Sequence, residues 1–194
     1  MARQLPFDVF VTRKITKWQT RAKTHGHSLV DAVGVSPAVE MIYFWPGFRR
    51  MGHERINTCL ERLAWSEDPK ENLGWSDEPA DERALLYLLR GVCQRHLGNI
   101  EGAQTTLDTH VISQNLQSLK TCPYPDTWSL PAAHYEVAVC HWQQAGGEDG
   151  DKALLQKCSS ELAIVERWEA YDLDTRIGLK IATGRQTLKK AGIV

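Results

Sequence analysis

The sequence has no long apolar run, no excess of charge of one sign and no closely paired cysteines. Its 23 basic and 24 acidic residues leave a net charge of −1, so no global field favours nucleic acid as a partner. No apolar stretch approaches the roughly 20 residues of a membrane span, and no secretory signal precedes the first predicted helix. The five cysteines are odd in number and lack a Cys-x-x-Cys pair, which predicts free thiols in an intracellular protein.

Residues that would carry chemistry are scarce as well. His134, Cys140 and His141 lie near one another in the sequence, but on a helix Cys140 points away from His134, and no acid is placed to orient a base. The pair His25 and His27 has no third metal ligand nearby, and no glycine-rich phosphate loop is present. The sequence therefore predicts no catalytic, cofactor-binding or metal-binding residues and no enzyme, with a Cys/His hydrolase as the least favoured alternative.

A repeated spacing of small residues is what the sequence does contain. Gly91 is followed twelve residues later by Ala103, with a turn at Gly98 between them, and Gly47 is followed in the same way by Cys59. This spacing is typical of tetratricopeptide-like hairpins, in which only a small residue fits where two helices cross. It predicts that Gly91 contacts Ala103, that Gly47 contacts Cys59, and that Gly98 ends its helix with a positive φ.

The apolar periodicity and the turn residues extend this pattern along the chain. A looser third copy runs through a turn at Gly146, and no alternation typical of strands competes with it. We predict an all-α fold of tetratricopeptide-like helical hairpins, an α-solenoid, in a single domain over residues 1–194. The expected parts are a leading helix and loop (1–36), three hairpins (37–66, 81–116 and 127–167) and a capping helix (172–190). Pro46 should kink or break its helix before Gly47.

Two charged segments flank the first hairpin. The predicted helix 6–24 has an apolar stripe and a basic face. The stripe consists of Phe7, Val11, Ile15, Trp18 and Ala22, and the basic face consists of Arg13, Lys14, Lys17, Arg21 and Lys23. We favour packing of the stripe on the first hairpin over mitochondrial targeting or contact of the basic face with a membrane surface. Residues 67–82 carry seven acids against Lys70. They predict a solvated acidic loop whose last acids favour the start of the next helix, with a partner-binding acidic strip as the alternative.

The first helices of the three hairpins share an apolar wall, which is the predicted partner-binding surface. Its candidate binding residues are Phe44, Phe48, Leu88, Val92, Arg95, Tyr135, Val139 and Trp142. A clamp for a peptide's terminal carboxylate needs several cationic or amide donors, and only Arg95 qualifies, so we reject that class. The wall either binds an apolar partner helix or is covered, by the chain's own first helix or by further residues of a longer protein.

The capping helix should turn apolar residues inward and cations outward. The inward residues are Ile177, Ile181 and Leu188, and the outward residues are Arg176, Lys180 and Arg185. Asp172 near its start and Lys190 near its end suit the helix dipole. A polar outer face of this kind is what the last helix of a solenoid requires.

Several segments also carry a family resemblance. The stretch Val39–Phe48 and the motif Leu88–Gly98, which includes Leu-Arg-Gly-Val-Cys, resemble successive motifs of the tetratricopeptide repeat protein 39 family. Tyr135–Ala138 and Leu173–Ile177 fit its later segments, so the resemblance covers nearly the whole chain. The chain departs from the pattern at Pro46, where the family usually has asparagine. The resemblance implies that the chain corresponds to the carboxyl-terminal third of a full-length member.

That resemblance, rather than composition or spacing, implies the function. The fungal members are the inclusion body clearance, or mitochondrial outer-membrane, proteins, which are linked to clearing misfolded protein in connection with lipid-droplet proteins. The resemblance implies a non-enzymatic scaffold for protein partners, an apolar helix or lipid-droplet proteins among them, without a cofactor or nucleic acid. It implies a cytoplasmic location, with the nucleus, the mitochondrial outer membrane and the lipid-droplet surface as further sites. The alternative is a peripheral mitochondrial or lipid-droplet adaptor that makes weak membrane contact through residues 6–24.

Overall fold

The computed structural model describes residues 5–26, 28–72, 74–168, 171 and 173–193, and in this part of the chain the regular structure is entirely helical. The helices are α1 (Pro6–His25), α2 (Pro37–Phe44), α3 (His53–Glu67), α4 (Ala80–His96), α5 (Ile100–Leu107), α6 (Leu116–Lys120), α7 (Ser129–Ala145), α8 (Lys152–Glu166) and α9 (Asp174–Lys190). Short 3-10 helices lie at Gly47–Arg50 and Trp75–Asp77, and a π-helical segment, Asp108–Ile112, continues α5. No described helix has the length and apolarity to cross a membrane.

The second and third predicted hairpins are formed by α4 with α5 and by α7 with α8. In place of the predicted first hairpin, α2 and α3 both pack on α4. The short helix α6, which the sequence did not predict, lies in the connection between the second and third hairpins. Helix α9 then packs on α7 and α8 as the capping helix, and its predicted first residue, Asp172, lies outside the described residues. The all-α repeat fold is thus confirmed.

The crossing of α4 with α5 confirms the prediction that Gly91 lies where the two helices approach most closely. A Cβ atom at Gly91 would lie 2.8 Å from Cγ of Leu107 and 3.4 Å from the backbone oxygen of Ala103. A larger side chain therefore has no room where the two helices cross. Gly98 follows the end of α4 with a φ of +86°, a conformation that an L side chain rarely adopts.

The corresponding prediction for Gly47 is wrong. Helix α2 ends at Phe44, because Pro46 cannot continue it, and Gly47 begins a separate 3-10 turn. The atoms nearest to a Cβ placed at Gly47 belong to Ile42, the closest at 3.0 Å, and not to Cys59. The predicted break before Gly47 is confirmed, but it also moves this glycine away from the helix crossing.

Helix α1 packs part of its predicted apolar stripe on the body, since Phe7 and Val11 contact the core, but it buries two cations of its basic face more deeply than that stripe. Lys14 and Lys17 are only 4% and 2% exposed, whereas Val9 and Ile15 are 47% and 40% exposed. Phe10, which lies beside the basic face, is the apolar residue of α1 that is fully buried. Lys14 and Lys17 are therefore directed at the body of the protein.

Acids from three other segments receive these cations. We call the contact the ionic seam; it comprises Arg13, Lys14, Lys17 and Arg21 of α1 with Glu40, Glu78, Asp81, Glu82 and Asp126. Asp126 accepts hydrogen bonds from Arg13 at 2.7 Å, from Lys14 at 3.0 Å and from Lys17 at 2.8 Å. The prediction of a solvated loop over 67–82 is therefore wrong for its last acids, which are buried in the seam.

Candidate partner-binding groove

The predicted wall divides into a covered part and an open part. The covered residues, Phe44, Phe48, Leu88 and Val92, are each at most 3% exposed. No partner reaches these four side chains in this arrangement, because their contacts are already made within the chain. The open residues, Tyr135, Val139 and Trp142, are half-buried and line a groove.

The chain covers the wall at Phe44 with three of its own segments. The ring of Phe10 from α1 lies 5.3 Å from the Phe44 ring, and that of Trp128 lies 4.5 Å from it. Arg176 of α9 donates to the backbone oxygen of Phe44 at 3.4 Å and places its guanidinium 4.2 Å from the centre of the Trp45 ring. Cover by the first helix, one of the two alternatives, thus applies to this end of the wall.

The groove lies between α7, α8 and α9 and has a volume of about 390 Å³. Tyr135, Val139 and Trp142 form one side, and Leu162 and Leu179 face them. Ile177, Ile181 and Leu188 of α9 are buried as predicted, but Leu179 is 72% exposed at the edge of the groove. The described residues thus leave an apolar, aromatic surface unfilled.

Lys180 marks one end of the groove, and its predicted exposure to solvent is wrong. Its Nζ lies 4.3 Å from the centre of the Tyr43 ring and 5.1 Å from that of Tyr135. Burial lowers the pKa of Lys180; Glu136 opposes this shift, and Arg95 adds to it. A cation held against two rings in this way is partly stripped of water.

An adjoining cavity of about 150 Å³ shares Arg49, Tyr135, Val139 and Lys180 with the groove. Arg95 lines this cavity, where its Nε and Nη2 donate to Oε2 of Glu136 at 2.9 Å and 2.7 Å. Burial alone would raise the pKa of Glu136, but Arg95 outweighs it and holds this pKa below its usual range. The carboxylate of Glu136 is therefore already engaged.

His134, Cys140 and His141 do not form a nucleophile with a base. The thiol of Cys140 is buried, and burial raises its pKa to about 12. His134 Nδ1 instead lies 2.7 Å from Oε2 of Glu161. A thiol that stays protonated at neutral pH is a poor nucleophile. The other sequence candidate, the pair of His25 with His27, falls partly outside the described residues, since His27 is not among them.

Sequence reasoning missed Arg49, Leu179 and Lys180, which complete the groove. Leu179 carried a usable signal, since it lies two residues from both Ile177 and Ile181 and so points away from their stripe. A leucine on the outer face of a capping helix indicates a further contact surface. Arg49 carried no such signal, because its position depends on how the chain turns after Pro46.

In sequence, the chain is similar to proteins of one family. The family model described as Iml2/Tetratricopeptide repeat protein 39 matches residues 1–97, which run from α1 to α4. The inclusion body clearance protein iml2 of Aspergillus niger is 40% identical over 210 residues, which cover 98% of this chain and 30% of the relative. The corresponding IML2 protein of Yarrowia lipolytica is 34% identical over 197 residues, which cover 97% of this chain and 26% of the relative. No solved structure matches the chain significantly.

Proposed function

Because the chain belongs to the Iml2/Tetratricopeptide repeat protein 39 family, we propose that it is a non-catalytic scaffold that binds other proteins through the groove. The groove is the observation that carries this proposal, since Tyr135 and Trp142 line an apolar surface that no other described part of the chain fills. Exposed aromatic and apolar side chains gathered in one concavity are typical of protein-binding sites. Helical repeats generally serve binding and not chemistry.

The process that we propose is the clearance of misfolded protein, since the relatives are named inclusion body clearance proteins. The chain spans 30% or less of the length of these relatives, so the partners and activity of the whole protein are part of the proposal. Action in the cytoplasm, with the nucleus, the mitochondrial outer membrane or the lipid-droplet surface as further sites, rests on the family resemblance alone. So does a connection with lipid-droplet proteins.

A membrane-surface adaptor that uses residues 6–24 is less well supported than the scaffold. That function needs the basic face of the helix to meet anionic lipid headgroups. Lys14 and Lys17 are buried in the ionic seam instead, where both pair with Asp126. Lipid contact through this face would require α1 to leave the body and the buried acids to lose their partners.

The test is to replace Tyr135 and Trp142 by Ala in the chromosomal gene of the host organism. The measurement is the rate at which inclusions of a fluorescent misfolded reporter disappear after a heat pulse. We expect slower clearance, because truncating aromatic anchors at an interface weakens binding by about tenfold or more each. The matched control replaces Tyr124 and Trp65, which are 41% and 42% exposed and lie outside the groove.

Protein level and melting temperature are measured for both double variants, so that a loss of folding is not taken for a loss of binding. Clearance at the normal rate by a folded Tyr135 and Trp142 double variant would show that the groove is not the working surface. Equal slowing by the control pair would show that the effect is not specific to the groove.

A further inference from the structure

At the end of the groove near Lys180, the described lining residues carry more positive than negative charge. Arg49, Arg95 and Lys180 line the two joined cavities, and Glu136 is the one carboxylate among the described lining residues. Arg95 holds Glu136 through two hydrogen bonds. The described part of the chain provides no ion-pair partner for Arg49 or Lys180.

We propose that the groove binds an internal, apolar peptide segment that carries an acidic side chain, and that this carboxylate docks between Lys180 and Arg49. This inference rests on the proposed function, since it assigns the chemistry of the partner to the same groove. The apolar side chains of the segment contact Tyr135, Val139 and Trp142. The acid lies at the end of the groove where the two cavities join.

The position of Lys180 explains why a carboxylate is favoured there. The rings of Tyr43 and Tyr135 hold its ammonium group and remove part of its water. An anion that arrives replaces that lost hydration with a charge-assisted hydrogen bond, which is strong in a partly dry site. A neutral apolar segment would instead bury the ammonium further without compensation, so the same lysine selects against it.

The carboxylate of an acidic side chain suits the Lys180 end of the groove better than the carboxylate of a chain terminus does. Capture of a chain terminus uses several converging donors, and here Arg95 is occupied by Glu136. Arg49 and Lys180 remain, and both line the groove and the adjoining cavity, as Val139 does. A segment that passes through places one acid between the two cations while its backbone continues in both directions.

Selection from phage-displayed random peptides tests the inference with the full chain as bait. Displayed peptides are joined to the coat protein at their carboxyl ends, so they offer segments without a free terminal carboxylate. Clones that bind the wild type but not Trp142→Ala define groove binders, and we expect Asp or Glu beside Leu, Phe or Trp in them. Their capped synthetic peptides should bind roughly tenfold more weakly to Lys180→Gln, as expected when one partner of a charge pair is lost.

The controls separate this inference from the proposed function. Lys189→Gln, on the exposed end of α9 and away from the groove lining, should leave affinity unchanged. Replacing the peptide's acid by its amide should weaken binding to the wild type but not further weaken binding to Lys180→Gln, since a contacting pair is not additive. Neutral groove binders that ignore Lys180→Gln and Arg49→Gln would overturn the acidic specificity alone. Failure to obtain any groove-dependent clone would overturn the groove as a binding site.

Discussion

The contact of α1 with the body and the crossing of α4 with α5 are both buried, but opposite chemistry holds them together. At the crossing, Gly91 lets α4 approach Leu107 and Ala103 directly, and the contact is apolar on both sides. At the ionic seam, charged side chains such as Lys17 and Asp126 are buried and satisfy one another. Apolar packing stabilises in proportion to the area buried. A buried charge pair adds little net stability, but leaving one partner alone is strongly destabilising.

The two contacts therefore differ in what each determines. The crossing supplies stability, and many apolar side chains of suitable volume would serve it. The seam determines orientation, because α1 has one rotation in which Arg13, Lys14 and Lys17 all reach Asp126. Rotating the helix to bury Val9 and Ile15 would take Lys14 and Lys17 away from the acids of the body. The ion pairs of the seam therefore account for the exposure of these two apolar residues.

The largest effect should come from breaking the seam at its centre with Asp126→Asn. This change removes the charge that three cations share, while it keeps the size of the side chain. We expect the free energy of unfolding to fall by about 3–5 kcal/mol, the usual result of removing one partner of a buried ion pair. Urea unfolding measures the loss, and hydrogen exchange in α1 shows whether this helix detaches first.

The matched control is Glu166→Gln, since Glu166 also pairs with an arginine at 2.7 Å but its side chain is 44% exposed. That pair should contribute about 1 kcal/mol or less. If Asp126→Asn were no more harmful than Glu166→Gln, the seam would not be what holds α1 on the body.

The second effect should come from overpacking the crossing with Gly91→Leu. The new side chain would begin 2.8 Å from Leu107, and displaced packing of this kind destabilises by about 1–3 kcal/mol or more. Gly178→Ala in α9 is the control, because no atom lies within 4 Å of a Cβ added there. Ala is the better helix former, so the control should gain roughly 0.5–1 kcal/mol. A melting temperature for Gly91→Leu equal to that of the wild type would contradict the crossing described here.

The same comparison shows which features the sequence could predict. The helices, their turns and the Gly91 crossing follow from periodicity and spacing within a single hairpin, so a local pattern contains the information. The pattern predicts a solvated loop for the acidic half of the seam and no burial for the basic half, since charged residues are rarely buried unless paired. The cations of α1 and the acids of the body are buried because they pair with each other. A local sequence pattern does not show that α1 lies beside Glu82 and Asp126.

The groove shows the same limit on a smaller scale. The repeat pattern places Tyr135, Val139 and Trp142 on one shared surface, because all three lie on the same face of α7. The burial of Phe44 and the inward position of Lys180 depend on where α1 and α9 cross the wall. Those crossings are tertiary contacts between segments far apart in sequence, and periodicity does not determine them.

The smallest expected effect is a pH dependence that compares the seam with the wall. In the seam, burial raises the pKa of Glu78 to about 7, against the opposing effect of Arg21. Beside the wall, where the His96 ring stacks on that of Phe48, burial lowers the pKa of His96 to about 4, and the positive charge of Arg95 adds to the shift. As pH falls from about 7 towards 5, folded Glu78 takes up a proton more readily than the unfolded chain does, so stability rises.

His96 lowers the stability over the same pH range, because its imidazole takes up a proton in the unfolded chain but stays neutral in the folded protein. The two contributions oppose each other in the wild type, and single variants separate them. Glu78→Gln should make the protein lose stability on acidification relative to the wild type, and His96→Gln should make it gain. Since one pKa unit corresponds to about 1.4 kcal/mol and solvent screens part of the effect at His96, each difference should be on the order of 1 kcal/mol. Urea unfolding at both ends of this range measures it, and identical pH profiles for both variants and the wild type would show that neither group titrates differently in the fold.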